Sequence, residues 1–213
     1  DRTTKIKNRN QTAMFMINNI KRLINAFDYT AALELAESIK EFISPEVVQL
    51  LKIACARISM DYSGYAKAGG RKYDFMPVQS SDSRGIVEYI LILQIKEEKA
   101  KYADILRAIT PVFYELCKMA VQKRCGIDLN KVTYMDKYTG AIKWKIDMKN
   151  ADEKTYDFFV ETYGEYRGGF VASDQLTKMI YKFENDATCR KAFDEFRAIE
   201  EKVRNIAAHN LVA

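Results

Sequence analysis

His209 is the only histidine in the 213 residues, and Arg204 and Asn205 precede it in the stretch RNIAAH. An imidazole titrating near about 6.5 can take or give a proton at neutral pH. A guanidinium stays charged and presents two donors in a fixed fork, the geometry that grips an oxygen-rich anion. An amide beside it can hydrogen-bond the same anion or hold the ring. Together these groups could move a proton at a phosphate. The plain alternative is a solvated histidine near the end of the chain, with the arginine upstream by chance.

The helix carrying them is the first thing to settle. DATCRKAFDEFRAIEEKVRNIAAHN reads as one long helix capped by Asp186. Projected at 100° per residue, Phe196, Ile199, Val203, Ile206 and Ala207 form a core-facing stripe. His209 then lies roughly 110° from its centre, with Asn205 beside it, and Arg204 points almost opposite the core. Arg204 and His209 are about 140° apart, so one chain alone does not bring them together neatly. EFRAIEEK and EEKAKYADILR read as solvated, charge-rich faces.

Upstream, Phe15, Ile17, Ile20, Leu23, Ile24 and Phe27 recur at helical spacing, as do Ala32, Leu35, Ala36, Ile39, Phe42 and Ile43. Ser44 followed by Pro45 starts a third helix. Residues 64–83 hold glycines, a proline and serines and read as a long loop. Helix resumes near Arg84 and runs to about Arg124, with Pro111 expected to interrupt it near Ile109. Val132, Tyr134, Ile142, Trp144 and Ile146 alternate with polar residues around KYTG, a β-hairpin over about 131–148. SDQLTKMIYKF, capped by Ser173, is the next-to-last helix. The fold class is all-α in the main, a helical bundle with a small β-hairpin insertion.

Composition excludes several classes. Only 9 glycines and 3 prolines in so long a chain disfavour a many-stranded sheet. No apolar run reaches the roughly 18 residues that span a membrane. Cys55, Cys117, Cys125 and Cys189 form no C-x-x-C pair and have one histidine to join them, so no metal site and no cofactor are expected. They read as reduced, mostly buried thiols of a cytoplasmic protein. A net charge of +5 permits an RNA partner without requiring one. Rings in YSGYAKAGGRKY and YGEYRGGF, beside Arg71, Lys72 and Arg167, either stack on RNA bases or fold back as satellites of the core. The basic start, residues 1–8, reads as a linker from a preceding domain, with 9–213 as one helical domain.

RNIAAH resembles the R-x-x-x-x-H motif of HEPN domains, which often carry a polar residue just after the arginine. The helical array before it is similar to the C-terminal HEPN half of the CARF–HEPN ancillary ribonucleases of type III-A CRISPR systems (Csm-type). The HEPN toxins paired with a nucleotidyltransferase antitoxin carry a tyrosine where Leu211 stands here, which argues against that branch. The resemblance implies a HEPN-like bundle and a metal-independent endoribonuclease acting on single-stranded RNA. The RNA's own 2′-hydroxyl would attack, leaving 2′,3′-cyclic phosphate and 5′-hydroxyl ends. It implies Arg204, Asn205 and His209 as catalytic residues, and a homodimer that pools two sets of them. It further implies activation by a cyclic oligoadenylate bound at an N-terminal CARF-like sensor domain absent from these residues. The alternative is a non-catalytic helical dimerisation or RNA-binding module.

Overall fold

The computed structural model describes residues 2–73, 75 and 81–210, with side chains for 10–73, 75 and 83–203. Two compact units divide the chain between Tyr102 and Ala103.

The first unit holds α1 (Arg2–Asn25), α2 (Tyr29–Ser38), α3 (Pro45–Ile58), α4 (Tyr62–Lys67) and α5 (Ser81–Glu98). The basic stretch read as a linker is helical, since α1 starts at Arg2. The row Ile17, Ile20 and Ile24 steps by three and four residues and meets Ala32, Ala36, Ile39 and Leu51. Alanines at the centre let α2 approach its neighbours closely. Phe15, placed inward by the sequence reading, lies off that row and is exposed. Local caps fix where helices begin. Asp28 accepts from the Ala31 amide at 3.3 Å, Ser44 from Val47 at 3.4 Å and Asp61 from Gly64 at 2.8 Å.

Much of the expected loop over 64–83 is folded. α4 leads into a 3₁₀ turn at Gly70–Lys72. The Tyr65 hydroxyl donates to the Gly70 carbonyl at 2.6 Å, satisfying a buried acceptor. Gly70 backs so closely on the Tyr65 ring that a Cβ there would come within 2.4 Å of it. The rest of that stretch, residues 74 and 76–80, lies outside the described residues. Glu88 on α5 is buried and takes a bidentate pair of bonds from Arg57 on α3, at 3.0 and 2.9 Å.

The second unit begins with α6 (Tyr102–Arg124). Pro111 does not interrupt it. The break falls earlier, at Ala100, whose φ is +52°. There the Ala100 amide donates to Glu97 O at 2.8 Å and the Lys101 amide to Lys96 O at 2.8 Å, a Schellman closure. Phe27 and Met60 end α1 and α3 in the same way.

After α6 come α7 (Leu129–Val132), β1 (Thr133–Met135), β2 (Ile142–Trp144), α8 (Met148–Ala151), α9 (Glu153–Tyr163), β3 (Gly169–Phe170), α10 (Ser173–Phe183) and α11 (Ala187–Asn210). The expected hairpin is present, with Thr133 opposite Trp144 and Met135 opposite Ile142. It gains a third antiparallel strand the sequence did not reveal, with Lys143 opposite Phe170. Asp136 closes the hairpin turn. Its carboxylate accepts Lys143 Nζ at 2.6 Å, the Tyr138 and Thr139 amides and the Thr139 hydroxyl. The lysine bond, then the Thr139 bonds, hold that carboxyl well below the usual range.

The hairpin is anchored in the unit, because Trp144 is buried in its main core. Phe113, Cys117 and Val121 of α6, Phe158 and Phe159 of α9, and Leu176, Met179 and Ile180 of α10 belong to the same core. The Trp144 and Phe159 rings meet edge to face at 5.1 Å. Cys117 and Cys125 are buried and Cys55 and Cys189 half-buried, all as free thiols. Burial pushes Cys117 up to about 12 and Cys125 up to about 11. Among the described residues, no helix is long and apolar enough to cross a membrane.

Ala100 is exposed and non-glycine in a left-handed position. Ala100→Gly should therefore stabilise the protein by about 0.5–1 kcal/mol, the strain relieved less the added freedom of the unfolded chain. An upward shift of the urea midpoint at unchanged m-value checks it; no shift, or a downward one, contradicts it.

Candidate active site

α11 carries all three sequence-derived candidates, so what holds α11 decides where they stand. Its start is pinned by a charged corner. Glu184, buried just before it, is gripped by Arg124 at the end of α6 through Nε and through Nη2 at 3.3 Å. The Asp186 amide donates to the same carboxylate at 2.9 Å. Asp186 in turn caps the helix, accepting from the Thr188 amide at 2.9 Å, and pairs with Arg124 at 3.2 Å. The Arg124 bond, then the Asp186 amide, pull the Glu184 carboxyl down to about 2.

The middle of α11 packs through Phe193 and Phe196 on Phe113 of α6, with ring centroids 6.3 and 5.1 Å apart. Next to them Glu200 is fully buried, with 0% of its surface exposed. One of its oxygens accepts the Thr110 hydroxyl at 2.9 Å and the other Arg197 Nη1 at 2.9 Å. Arg197 also donates to Ser173 Oγ at 3.4 Å and forms an ion pair with Glu201 at 3.0 Å, with its guanidinium carbon 5.9 Å from the Phe113 ring centroid.

This corrects the sequence projection. Ile199, placed in the inward stripe, is half-exposed at 50%, and Glu200, read as solvated, is the innermost residue of the helix. The inward row is Phe193, Phe196, Arg197 and Glu200, about 80° round the helix from the expected stripe. The expectation that position 204 faces away from the core rested on the stripe through Ile199. A signal for the true row exists in the sequence: Phe193, Phe196, Glu200 and Val203 follow the helical period, and the carboxylate breaks its apolar run.

Positions 204, 205 and 209 lie on the last turns of α11. Their side chains, the sequence-derived site, lie outside the described residues. By helical rise, position 204 is one turn, about 6 Å, beyond Glu200. Sequence reasoning missed Thr110, Arg197 and Glu200. Among the described residues, no group of three or more His, Cys, Asp or Glu side chains is placed to hold a metal ion.

A long terminal helix over a helical bundle with a small three-stranded sheet, bearing R-x-x-x-x-H near its end, is the architecture of a HEPN domain. Residues 75–213 match the family described as the Cas_Csm6 HEPN domain, and residues 6–58 match the CRISPR-associated protein Csm6 6H domain. The chain belongs to the Csm6 HEPN family. No curated protein matches it in sequence. Among solved structures it is similar to Enterococcus italicus Csm6 bound to cyclic hexa-2'-fluoro-hexa-dAMP, with a TM-score of 0.63 at 15% identity. That likeness covers 93% of this chain and 45% of the other, so the chain spans a little under half of that Csm6.

Two outcomes follow for the helix mounting. Glu200→Ala should cost about 2–4 kcal/mol, since it removes the buried carboxylate that accepts from both Arg197 and the Thr110 hydroxyl. Arg197→Leu in the same molecule should recover part of that loss, and a double-mutant cycle in urea reads the coupling. Additive losses would mean that the pair is not coupled. For Glu184 the folded carboxyl lies below its unfolded value, so its contribution to stability is complete above about pH 4.5. It is lost as pH falls from there towards about 2. Glu184→Gln should therefore narrow the gap in melting temperature to wild type between pH 5 and pH 3, and a constant gap would contradict the assignment.

Proposed function

We propose that this chain is a metal-independent endoribonuclease that cuts single-stranded RNA, with Arg204, Asn205 and His209 as its catalytic residues. One observation carries the reading: these three residues stand within six positions on the terminal helix of a chain belonging to the Csm6 HEPN family.

The RNA 2′-oxygen attacks the adjacent phosphorus and the bond to the 5′-oxygen breaks. A 2′,3′-cyclic phosphate and a 5′-hydroxyl result. His209 takes the 2′-proton or protonates the departing oxygen, roles that suit an imidazole near neutral pH. Arg204 faces the crowded phosphorane with a forked pair of donors whose charge does not titrate. Asn205 hydrogen-bonds the phosphate or steadies the ring. One imidazole cannot work on both sides of one phosphate, so two copies of α11 meet across a two-fold axis and pool their residues. Ile199, half-exposed on α11, supports that reading as an apolar contact for the second copy. Such a pocket grips phosphate rather than base edges, so cleavage is only weakly sequence-selective. A flexible single strand reaches the in-line geometry that a duplex resists.

The Enterococcus italicus protein was solved with a ring-shaped oligoadenylate analogue. We extend that to a longer form of this protein, in which a sensor domain N-terminal to these residues binds a cyclic oligoadenylate and raises the cleavage rate in the cytoplasm.

The chain, incubated with a fluorescent single-stranded RNA in excess EDTA, should cleave it to products with cyclic phosphate ends. His209→Ala and Arg204→Ala should each lower the rate by at least about a hundredfold. Loss of wild-type cleavage in EDTA, or products without cyclic phosphate, would overturn this chemistry. An RNA-binding chain that never cleaves would favour the non-catalytic module.

A further inference from the structure

The loop YGEYRGGF builds a pocket that the cleavage chemistry does not use. Gly164 ends α9 in a left-handed conformation, its φ +81° and its amide bonded to Val160 O at 2.8 Å. The Tyr166 hydroxyl donates to the Lys145 carbonyl at 2.5 Å. Gly169 pairs with Trp144, and the Val171 amide donates to Ile142 O at 3.0 Å. The loop is therefore tied to the sheet along its length. It encloses a pocket of about 310 Å³ lined by Phe159, Tyr163, Glu165, Arg167, Gly168 and Gln175.

Gln175 gives the pocket its chemistry. Its Oε1 accepts the Trp144 indole N–H at 2.8 Å and the Ala172 amide at 3.0 Å. Two donors on one oxygen fix which way the amide points. Its Nε2 has no partner among the described residues, so two N–H donors are left where Gln175 lines the pocket. The ring wall is Phe159, itself buried, with Tyr163 stacked on it at 5.9 Å. Arg167, paired with Glu165, stands exposed at the rim. This is an open, ring-walled pocket with an oriented donor and an Arg167–Glu165 pair at its rim. It suits a planar group that carries hydrogen-bond acceptors and is flanked by an anion.

The pocket also lies at the end of α10 that touches α11. Ser173 opens α10 and accepts from Arg197. Seven residues of α-helix, about 10 Å of rise, separate position 197 from position 204.

We propose that this pocket is a base-binding subsite for single-stranded RNA. An unpaired base packs against Phe159 and Tyr163, its edge accepts from Gln175 Nε2, and Arg167 meets the flanking phosphate. The inference rests on the RNA-cleavage reading and adds to it a contact that holds the strand beside the reacting phosphate.

Gln175→Glu is the informative variant. A carboxylate keeps an acceptor for Trp144 and Ala172 and removes the free N–H donors; it also adds a negative charge, for which the abasic strand is the control. Binding is measured by fluorescence anisotropy with a 2′-O-methyl single strand, which cannot be cut, and with its abasic counterpart. On the intact strand Gln175→Glu should bind about five- to tenfold more weakly than wild type, with the thermal midpoint unchanged. On the abasic strand the two proteins should bind alike. Equal weakening on both strands would mean charge repulsion from phosphate, and no weakening on either would mean no contact; each overturns the subsite. If wild type still cleaves ordinary RNA in those cases, the nuclease reading stands without it. If wild type neither binds nor cleaves RNA, the nuclease reading fails and the subsite falls with it.

Discussion

Every carboxylate buried among the described residues is held by an arginine, and the second unit depends on two of these pairs. Glu88 takes the Arg57 fork, Glu184 the Arg124 fork, and Glu200 the Arg197 guanidinium with the Thr110 hydroxyl. Bringing a carboxylate out of water is expensive, and only a well-aligned partner offsets it. Each pair sits where two elements must keep one relation. Arg57–Glu88 joins α3 to α5, Arg124–Glu184 joins α6 to the corner before α11, and Glu200 joins α11 to α6. Two of the three therefore act on the helix that bears the candidate catalytic residues.

The pairs do something apolar packing does poorly. Phe193 and Phe196 lie on Phe113 through ring contacts that tolerate small slides and rotations. A carboxylate that must meet Thr110 on one oxygen and Arg197 on the other tolerates much less. We read Glu200 as the device that fixes the rotation of α11 about its axis; the cycle with Arg197 measures its strength. Position 204 follows Glu200 by one helical turn, so the rotation chosen at 200 is inherited there.

Sequence patterns exposed most of the scaffold and part of the site. Ser44–Pro45, the step of three and four residues through Ile20 and Ile24, and the alternation around KYTG are local signals, and the elements they imply are present. What stayed hidden depends on distant partners. β3 is two residues long and exists because Trp144 and Lys143 are there to pair with it. α5 ends at Ala100, which carries no glycine signal, while Pro111 drew attention to the wrong place. In the candidate site, RNIAAH was legible as a motif because its residue types carry their chemistry with them. Glu200 was legible only as an anomaly in an apolar period, since its burial needs Thr110, ninety positions away.

The single indole shows how a core contact can reach a surface. Trp144 fills the centre of the second unit, but its N–H is a donor that burial would leave unsatisfied. Gln175 supplies the acceptor, and so the hairpin fixes an amide on α10. That amide's oxygen also takes the Ala172 N–H just before α10, and its two remaining hydrogens are left at the pocket. Two residues earlier, at the start of the same helix, Ser173 accepts from Arg197, which also holds Glu200. The start of α10 is thus bonded to the sheet through Gln175 and to α11 through Ser173. A change at the hairpin that displaced Trp144 would act on the pocket through Gln175. A small β insertion therefore orients an amide on the helix whose first residue accepts a bond from the helix that carries RNIAAH.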